Sequence, residues 1–180
     1  AREGDALCAT GSFGGAAAGL MLLEHPLMES EVAPLVRDAC VARQLDPEPL
    51  LACGAALAAA GARAMIDVSD GLGADAGHLA AASGLGIEIE LERVPVAVGV
   101  AEVAEAAGRD HAELVVSGGE DYELLCAVPR LALADCVAAV KECDKRLTEI
   151  GRFTDGGPVR VRLPGGRSVP AEGHDHLRPR

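Results

Sequence analysis

One stretch near the middle of the chain decides the predicted fold: residues 62–80 read ARAMIDVSDGLGADAGHLA. The mostly apolar residues 62–66 predict a strand, and the apolar spacing from Leu72 onward predicts a helix. The acidic residues 67–71 therefore lie at a strand-to-helix turn. Carboxylate and hydroxyl oxygens suit hard cations such as Mg²⁺, and the backbone N–H groups at a helix start suit phosphate oxygens. This turn thus predicts a site for a metal-bound phosphate ester.

The same turn also has a purely structural interpretation. Ser and Asp are favoured N-cap residues, so Ser69 or Asp70 would simply begin an ordinary helix. Asp75 follows Asp70 by about 500° around a helix, so the two carboxylates need not share a face. On the residues of this turn alone, both interpretations stay open.

Length and composition indicate a single domain over residues 1–180. The chain has 180 residues, of which 49% are hydrophobic, enough for a substantial core and too many for a disordered chain. The longest apolar runs, such as residues 55–60, are too short to cross a bilayer. We therefore expect a globular domain without a membrane partner.

Charge and aromatic content limit the partners of the chain. The formal net charge is −12, and only 2% of the residues are aromatic, with no Trp. Nucleic-acid binding relies on Lys and Arg against phosphates and on aromatic rings against bases, so no nucleic-acid partner is expected. An anionic substrate would need metal ions as intermediaries.

Cysteine usage predicts a reducing, cytoplasmic environment. The six cysteines form no Cys-x-x-Cys pair, and most are expected to be buried thiols. The acidic start, residues 1–5, lacks the basic and apolar regions of a signal peptide.

Periodicity and turn residues predict an α+β fold with a mixed β-sheet flanked by helices. A hairpin is expected around Gly165 and Gly166. Residues 114–116 are either a strand or the end of a helix. The glutamates of the alternating run 87–92 should form a solvated face. The glycine-rich residues 11–15 resemble a phosphate cradle only weakly, so a structural turn is favoured. Strands are predicted at 6–10, 62–68, 87–92, 122–128 and 147–151, and helices at 16–23, 31–44, 49–60, 70–83, 100–107 and 131–142.

A second acidic turn follows at residues 117–122. Its glycines would let the backbone approach a ligand, and Glu120 and Asp121 come directly afterwards. The structural alternative is a glycine-rich β-turn with exposed acids. If both acidic turns face one pocket, they would form a single site.

The two turns together closely resemble the thiamine-monophosphate kinase family, within the superfamily related to aminoimidazole ribonucleotide synthetase. The resemblance runs from about Gly4 to the C-terminus. It is carried by DVSDGL at 67–72, SGGEDYEL at 117–124, EIGR at 149–152 and GHDH at 173–176. It implies the fold of the C-terminal domain of aminoimidazole ribonucleotide synthetase-like proteins.

The resemblance also implies an activity: ATP-dependent, Mg²⁺-assisted phosphorylation of thiamine monophosphate to thiamine diphosphate by direct in-line transfer. Such chemistry needs positioning and charge neutralisation more than a protein nucleophile, so no catalytic side chain is assigned. The motif positions imply Asp67 and Asp70 as Mg²⁺ ligands, Ser69 as an ATP-phosphate contact and Glu120 as a thiamine-phosphate contact. Asp75 and Asp121 are further candidates.

The sequence also departs from the family. Family members carry an N-terminal ATP-binding domain, which is expected to be absent here, so the chain alone should be inactive. The full-length protein is a candidate homodimer. His174 stands where relatives have an aromatic residue and is a candidate substrate contact. The alternatives are a related ATP-dependent enzyme with another substrate, or a stand-alone binding or assembly domain.

Overall fold

The computed structural model describes residues 1–25, 31–166 and 168–170. Within these ranges, one to three helices separate successive strands among the first five, and the last three strands follow one another. The strands are β1 Ala6–Thr10, β2 Ala64–Asp67, β3 Gly86–Glu90, β4 Leu124–Val128, β5 Leu147–Thr154, β6 Arg160–Arg162 and β7 Ser168–Pro170. The helices are α1 Gly15–Glu24, α2 Pro34–Leu45, α3 Leu51–Ala59, α4 Leu72–Ser83, α5 Val100–Ala106, α6 His111–Ser117 and α7 Leu133–Lys141, with short 3₁₀ turns at Leu91–Arg93 and Arg130–Ala132.

The described strands form one sheet in the order β2-β4-β1-β5-β3-β6-β7. Neighbouring strands are antiparallel except β3 and β6, which run parallel. The predicted α+β class with a mixed sheet is therefore confirmed. The antiparallel pair β6 and β7 also confirms the hairpin expected around Gly165 and Gly166.

The centre of the sheet is buried on both faces, because all five residues of β1 are buried. Leu7 and Ala9 point into a larger core with residues of α1, α4, α5 and α6. Ala6 and Cys8 point to the opposite face, into a smaller core with residues of α3 and α7. This two-sided burial explains why β1 reads as a continuous apolar run rather than an alternating one.

Two local expectations are wrong. The helix expected from Asp70 begins at Leu72, because Gly71 adopts a φ of +109° that no helical residue takes. The glutamates of β3 do not simply form a solvated face: Glu88 makes ion pairs with Arg152 of β5 and Arg162 of β6. Residues 114–116, for which the sequence left both strand and helix possible, lie in helix α6.

Within residues 1–25, 31–166 and 168–170, no helix combines the length and the apolar character needed to cross a membrane.

Candidate functional site

The first acidic turn connects β2 to α4 and is held by Asp75. The carboxylate Oδ2 of Asp75 accepts hydrogen bonds from the backbone N–H groups of Ser69 and Asp70, both at 2.9 Å. Asp75 is buried, and this burial raises the pKa of its carboxyl group, while the two backbone hydrogen bonds act in the opposite direction. The helical-wheel separation of Asp70 and Asp75 does not apply, because Asp70 precedes the helix.

The helix start shows no capping by Ser69 or Asp70. The N-cap of α4 is Gly71, and no side chain caps it. A Cβ on Gly71 would lie 3.1 Å from the carbonyl group of Ser117, so both the backbone conformation and the space favour glycine. The N-cap interpretation of these two residues is therefore wrong, and their side chains are not used to begin the helix.

The second acidic turn connects α6 to β4 and contains two residues with unusual backbone conformations. Glu120 has a φ of +68° and Tyr122 a φ of +50°, both in the left-handed region. Such conformations persist only where surrounding contacts enforce them, and they concentrate at functional sites. The surrounding contacts come from the first turn.

Three backbone hydrogen bonds join the two turns. Val68 donates to the carbonyl of Glu123 at 2.8 Å, Tyr122 donates to the carbonyl of Val68 at 2.9 Å, and Glu120 donates to the carbonyl of Ser69 at 2.8 Å. The turns approach so closely that a Cβ on Gly119 would lie 2.4 Å from the carbonyl oxygen of Ser69. The predicted meeting of the two acidic turns is therefore present in the structure.

A cleft of about 480 Å³ opens at this junction. Of the residues predicted for the site, Ser69 and Glu120 line it, whereas Asp67 and Asp70 do not. Asp67 is exposed at the end of β2, and Asp70 lies beside Ser69. His174 lies outside the described residues. The remaining lining comes from α1, α6 and adjoining turns: Ala17, Leu20, Met21, Glu24, His25, Arg109, Glu113, Leu114, Ser117, Gly118 and Gly119.

The cleft is predominantly acidic. Glu24, Glu113 and Glu120 contribute carboxylates to its wall. Arg109 also lines it, with its guanidinium 3.0 Å from Oε2 of Glu113, so these two charges offset each other and leave the carboxylates of Glu24 and Glu120 as the excess charge. A bare phosphate would be repelled here, whereas a metal ion or a cationic ring would be attracted.

Asp121 has a structural role. Its carboxylate accepts hydrogen bonds from the N–H groups of Gly14 at 2.7 Å and Ala16 at 3.2 Å, which lie at the start of α1. Burial raises the pKa of Asp121 to about 6, although these hydrogen bonds oppose the shift. In the first glycine turn, the N–H of Gly14 is thus occupied by a protein carboxylate, and those of Gly11 and Phe13 donate to backbone carbonyls, which supports its interpretation as a structural turn.

Helix α2 supplies two contacts to the second turn that sequence analysis missed. Gln44 donates from Nε2 to Oε2 of Glu120 at 2.5 Å, and Arg43 lies 3.4 Å from Oε1 of the buried Glu123. Glu123 also accepts a 2.7 Å hydrogen bond from the hydroxyl of Thr10. Polar residues at the end of an amphipathic helix gave no signal for these long-range contacts.

One further group could hold a cation. Single ligand atoms of Asp70, Asp75 and His78 lie within 4.8 Å of one another. Of the two predicted Mg²⁺ ligands, only Asp70 belongs to this group. The carboxylate oxygens of Asp70 and Asp75 are of the type that Mg²⁺ prefers, so the donor chemistry fits a magnesium ion near the first turn.

Comparison with known proteins decides the family. The model of the family described as AIR synthase related protein, C-terminal domain, matches residues 2–164. The chain belongs to this family.

Several curated relatives of this AIR synthase related domain are thiamine-monophosphate kinases. The protein from Methanopyrus kandleri is 41% identical over 170 residues, covering 93% of this chain and 50% of the relative. The protein from Escherichia coli K12 is 33% identical over 175 residues, covering 92% and 52%. The resemblance stated from the motifs is confirmed. The chain spans about half the length of the curated relatives it matches.

Solved structures agree with the observed fold. A structure described as AaThiL complexed with AMPPCP and TMP aligns with a TM-score of 0.80 at 35% identity, covering 98% of this chain and 52% of the other. The structure of E. coli HypE aligns with a TM-score of 0.77 at 26% identity, covering 99% and 52%. The AIR synthase related fold is therefore common to proteins with different names.

Proposed function

We propose that this chain is the C-terminal part of an ATP-dependent kinase that phosphorylates thiamine monophosphate to thiamine diphosphate by direct in-line transfer with Mg²⁺. The observation that carries the proposal is the hydrogen bond from Glu120 to Ser69, since it joins the two acidic turns and both of these residues line one cleft. The kinase relatives and the structure described with AMPPCP and TMP support the same activity.

In this proposal the side chains act by position and charge. Asp67 and Asp70 hold Mg²⁺, Ser69 contacts an ATP phosphate, and Glu120 contacts thiamine monophosphate. Bound Mg²⁺ would neutralise the charge on the phosphate oxygens during transfer. The protein's own contribution is to hold donors and acceptors in line, which the three hydrogen bonds between the turns favour because they fix the turns relative to each other.

The charge of the cleft favours one orientation of the substrate, with its cationic ring towards the acidic wall. Thiamine monophosphate carries a cationic thiazolium ring, which suits the acidic wall containing Glu24 and Glu120. The phosphate groups then belong outside that wall, at the metal ions held by Asp67 and Asp70. Asp67 is exposed, so its carboxylate is accessible to these metal ions.

The rest of the protein is part of the same proposal. Because the chain spans about half of its relatives, we propose that an N-terminal ATP-binding domain completes the site, and that residues 1–180 alone do not catalyse transfer. The full-length protein is proposed to be a cytoplasmic homodimer, and His174 a further substrate contact.

Turnover of ATP that depends on thiamine monophosphate tests this function in the full-length protein. Asp67→Asn and Asp70→Asn should each lower turnover by about 10- to 100-fold, as expected when metal affinity is weakened. Asp155→Asn, which changes an exposed acid after β5, is the matched control and should leave turnover unchanged. Undiminished activity in both site variants would remove the metal role.

Substrate profiling separates the alternatives. The similarity to E. coli HypE means that the fold alone does not select the substrate. Turnover with formylglycinamidine ribonucleotide or selenide, but not with thiamine monophosphate, would favour a related superfamily enzyme. Calorimetric binding of thiamine phosphates without any turnover by the full-length protein would favour a binding or assembly domain.

A further inference from the structure

An ion pair connects helix α2 to the second acidic turn. Arg43 lies in the last turn of α2, and its Nη2 is 3.4 Å from Oε1 of Glu123. The same nitrogen donates to the carbonyl oxygen of Ser12 at 2.8 Å, so Arg43 also reaches the first glycine turn. Neither Arg43 nor Glu123 lines the cleft. The pair therefore supports the site from outside its wall.

The acid of this pair is fully engaged inside the protein. Glu123 is buried, and its Oε2 accepts a hydrogen bond of 2.7 Å from the hydroxyl of Thr10. That hydroxyl in turn accepts a hydrogen bond of 2.8 Å from the N–H of Leu124. A buried carboxylate loses its hydration and needs both hydrogen bonds and a cation in compensation. Arg43 supplies the cation.

The first glycine turn leaves room for the two charged groups. A Cβ on Gly11 would overlap the carboxylate of Glu123, and a Cβ on Gly15 would lie 2.5 Å from Cδ of Arg43. Glycine at both positions therefore lets the ion pair form beside the end of β1. The structural role of this turn is to accommodate Arg43 and Glu123, in addition to the hydrogen bonds that it makes with Asp121.

The residue after Arg43 contacts the proposed substrate-binding acid. Gln44 lies about 100° further round the same helical turn, and its Nε2 donates to Oε2 of Glu120 at 2.5 Å. Consecutive residues of α2 thus hold two acids of the second turn. Of these two acids, only Glu120 lines the cleft. The ion pair to Glu123 is therefore placed to fix the helix end from which Gln44 reaches Glu120.

We propose that Arg43 is a positioning residue for substrate binding, because its ion pair with Glu123 fixes the end of α2 so that Gln44 holds the Glu120 carboxylate at the cleft. This inference rests on the proposed contact of Glu120 with thiamine monophosphate. Without Arg43, the last turn of α2 loses its bonds to Ser12 and Glu123, and Glu120 loses its fixed orientation. Arg43 itself contacts neither substrate nor metal.

The chain offers a matched control for simple destabilisation. Nη1 of Arg63 lies 2.6 Å from Oδ1 of Asp5, and the two side chains are 35% and 5% exposed, against 33% and 9% for Arg43 and Glu123. Arg63 precedes β2, whereas the first acidic turn follows it, so this second ion pair lies at the other end of the strand. Arg63→Met therefore removes a comparable ion pair away from the cleft.

Steady-state kinetics and calorimetry of the full-length protein test the proposal, at temperatures where each variant is folded. In Arg43→Met, the KM and Kd for thiamine monophosphate should rise about fivefold, whereas kcat and the KM for ATP should change by less than about twofold, as expected when only substrate binding is weakened. Arg63→Met should lower Tm by a similar amount and leave the KM for thiamine monophosphate unchanged.

Two double variants separate positioning from loss of folding. Arg43→Met with Glu123→Gln removes both charges and keeps an acceptor for Thr10, so it should recover Tm but not the KM for thiamine monophosphate. Arg43→Met with Gln44→Leu should raise that KM about fivefold, as each single variant does, because Arg43 acts through Gln44. Independent effects would multiply to about 25-fold.

The outcomes that overturn the proposal are distinct from failure of the proposed function. Wild-type turnover of thiamine monophosphate, together with an unchanged KM in the variant lacking both Arg43 and Glu123, would overturn the positioning role alone. An equal rise of KM in Arg63→Met, or multiplicative effects of the Arg43 and Gln44 substitutions, would also overturn it. A wild-type protein that neither binds nor phosphorylates thiamine monophosphate would refute the proposed function and this inference with it.

Discussion

The backbone N–H of Glu120 donates a hydrogen bond of 2.8 Å to the carbonyl oxygen of Ser69. These residues are distant in sequence and belong to different turns, so the bond fixes one acidic motif against the other. The left-handed backbone of Glu120 is maintained at this contact. The cleft lined by both residues depends on this junction.

Gly119→Ala should break the junction between the turns. The added Cβ would lie 2.4 Å from the carbonyl oxygen of Ser69, and a backbone atom cannot move aside without shifting the whole turn. We expect the free energy of unfolding, measured by urea denaturation, to fall by about 1–3 kcal/mol, as for other overpacked sites.

Gly77→Ala is the matched control for that variant. Gly77 lies inside α4, and a Cβ there meets nothing within 4 Å. Because alanine is the better helix former, this variant should gain about 0.5–1 kcal/mol. Equal effects of the two substitutions would show that the contact between Gly119 and Ser69 does not matter for stability.

Gln44→Leu should weaken substrate binding without unfolding the domain. The amide of Gln44 holds the carboxylate of Glu120 from Nε2, whereas its Oε1 is buried without a hydrogen-bond partner among the described residues. Removing the amide therefore frees Glu120 and also removes an unsatisfied acceptor. The Kd of the full-length protein for thiamine monophosphate should rise about fivefold, equivalent to about 1 kcal/mol.

Calorimetry measures this change, with Leu35→Ala on the same helix as control. Leu35 is 86% exposed, so its truncation should alter neither Kd nor Tm. An unchanged Kd in Gln44→Leu would contradict a positioning role for Gln44.

Asp121 should make stability depend on pH. Its pKa is about 6 in the folded protein, above the ordinary value of 3.8, so the folded state binds more protons than the unfolded state between these values. The contribution is fully present below about pH 4 and is lost as pH rises through about 6. We expect this loss to be on the order of 2–3 kcal/mol, relative to Asp121→Asn.

Urea denaturation of both proteins at several pH values measures that difference. Other acids titrate in the same range, and the comparison with Asp121→Asn removes their contribution. Parallel pH profiles of the wild type and the variant would show that Asp121 does not bind the predicted proton.

Local patterns predicted most of the fold. The strand at Ala6–Thr10 has the predicted bounds, because its apolar run is bounded by polar and glycine residues. The sequence did not predict α6 definitely as a helix, although Asp110 caps it by accepting a hydrogen bond from the N–H of Ala112. The Asp110 to Glu113 spacing resembles a capping box and was the available signal.

Long-range contacts set the limit of prediction for the site. The motifs identified both acidic turns, and the structure brings Ser69 and Glu120 to one cleft. Nothing in the local sequence indicates that Asp121 caps α1 or that Gln44 reaches Glu120, because those partners are separated by 107 and 76 residues. Such pairings are defined only by the packing of helices on the sheet.

Crystals of the full-length protein grown with Mn²⁺, a non-hydrolysable ATP analogue and thiamine monophosphate test the central claim most directly. Mn²⁺ replaces Mg²⁺ at oxygen sites and is located by its anomalous scattering. The account predicts a metal peak at about 2.0–2.2 Å from carboxylate oxygens of Asp67 and Asp70, with thiamine monophosphate beside Glu120. Bound ligands with no metal at either aspartate, or thiamine monophosphate outside the cleft between Ser69 and Glu120, would contradict it.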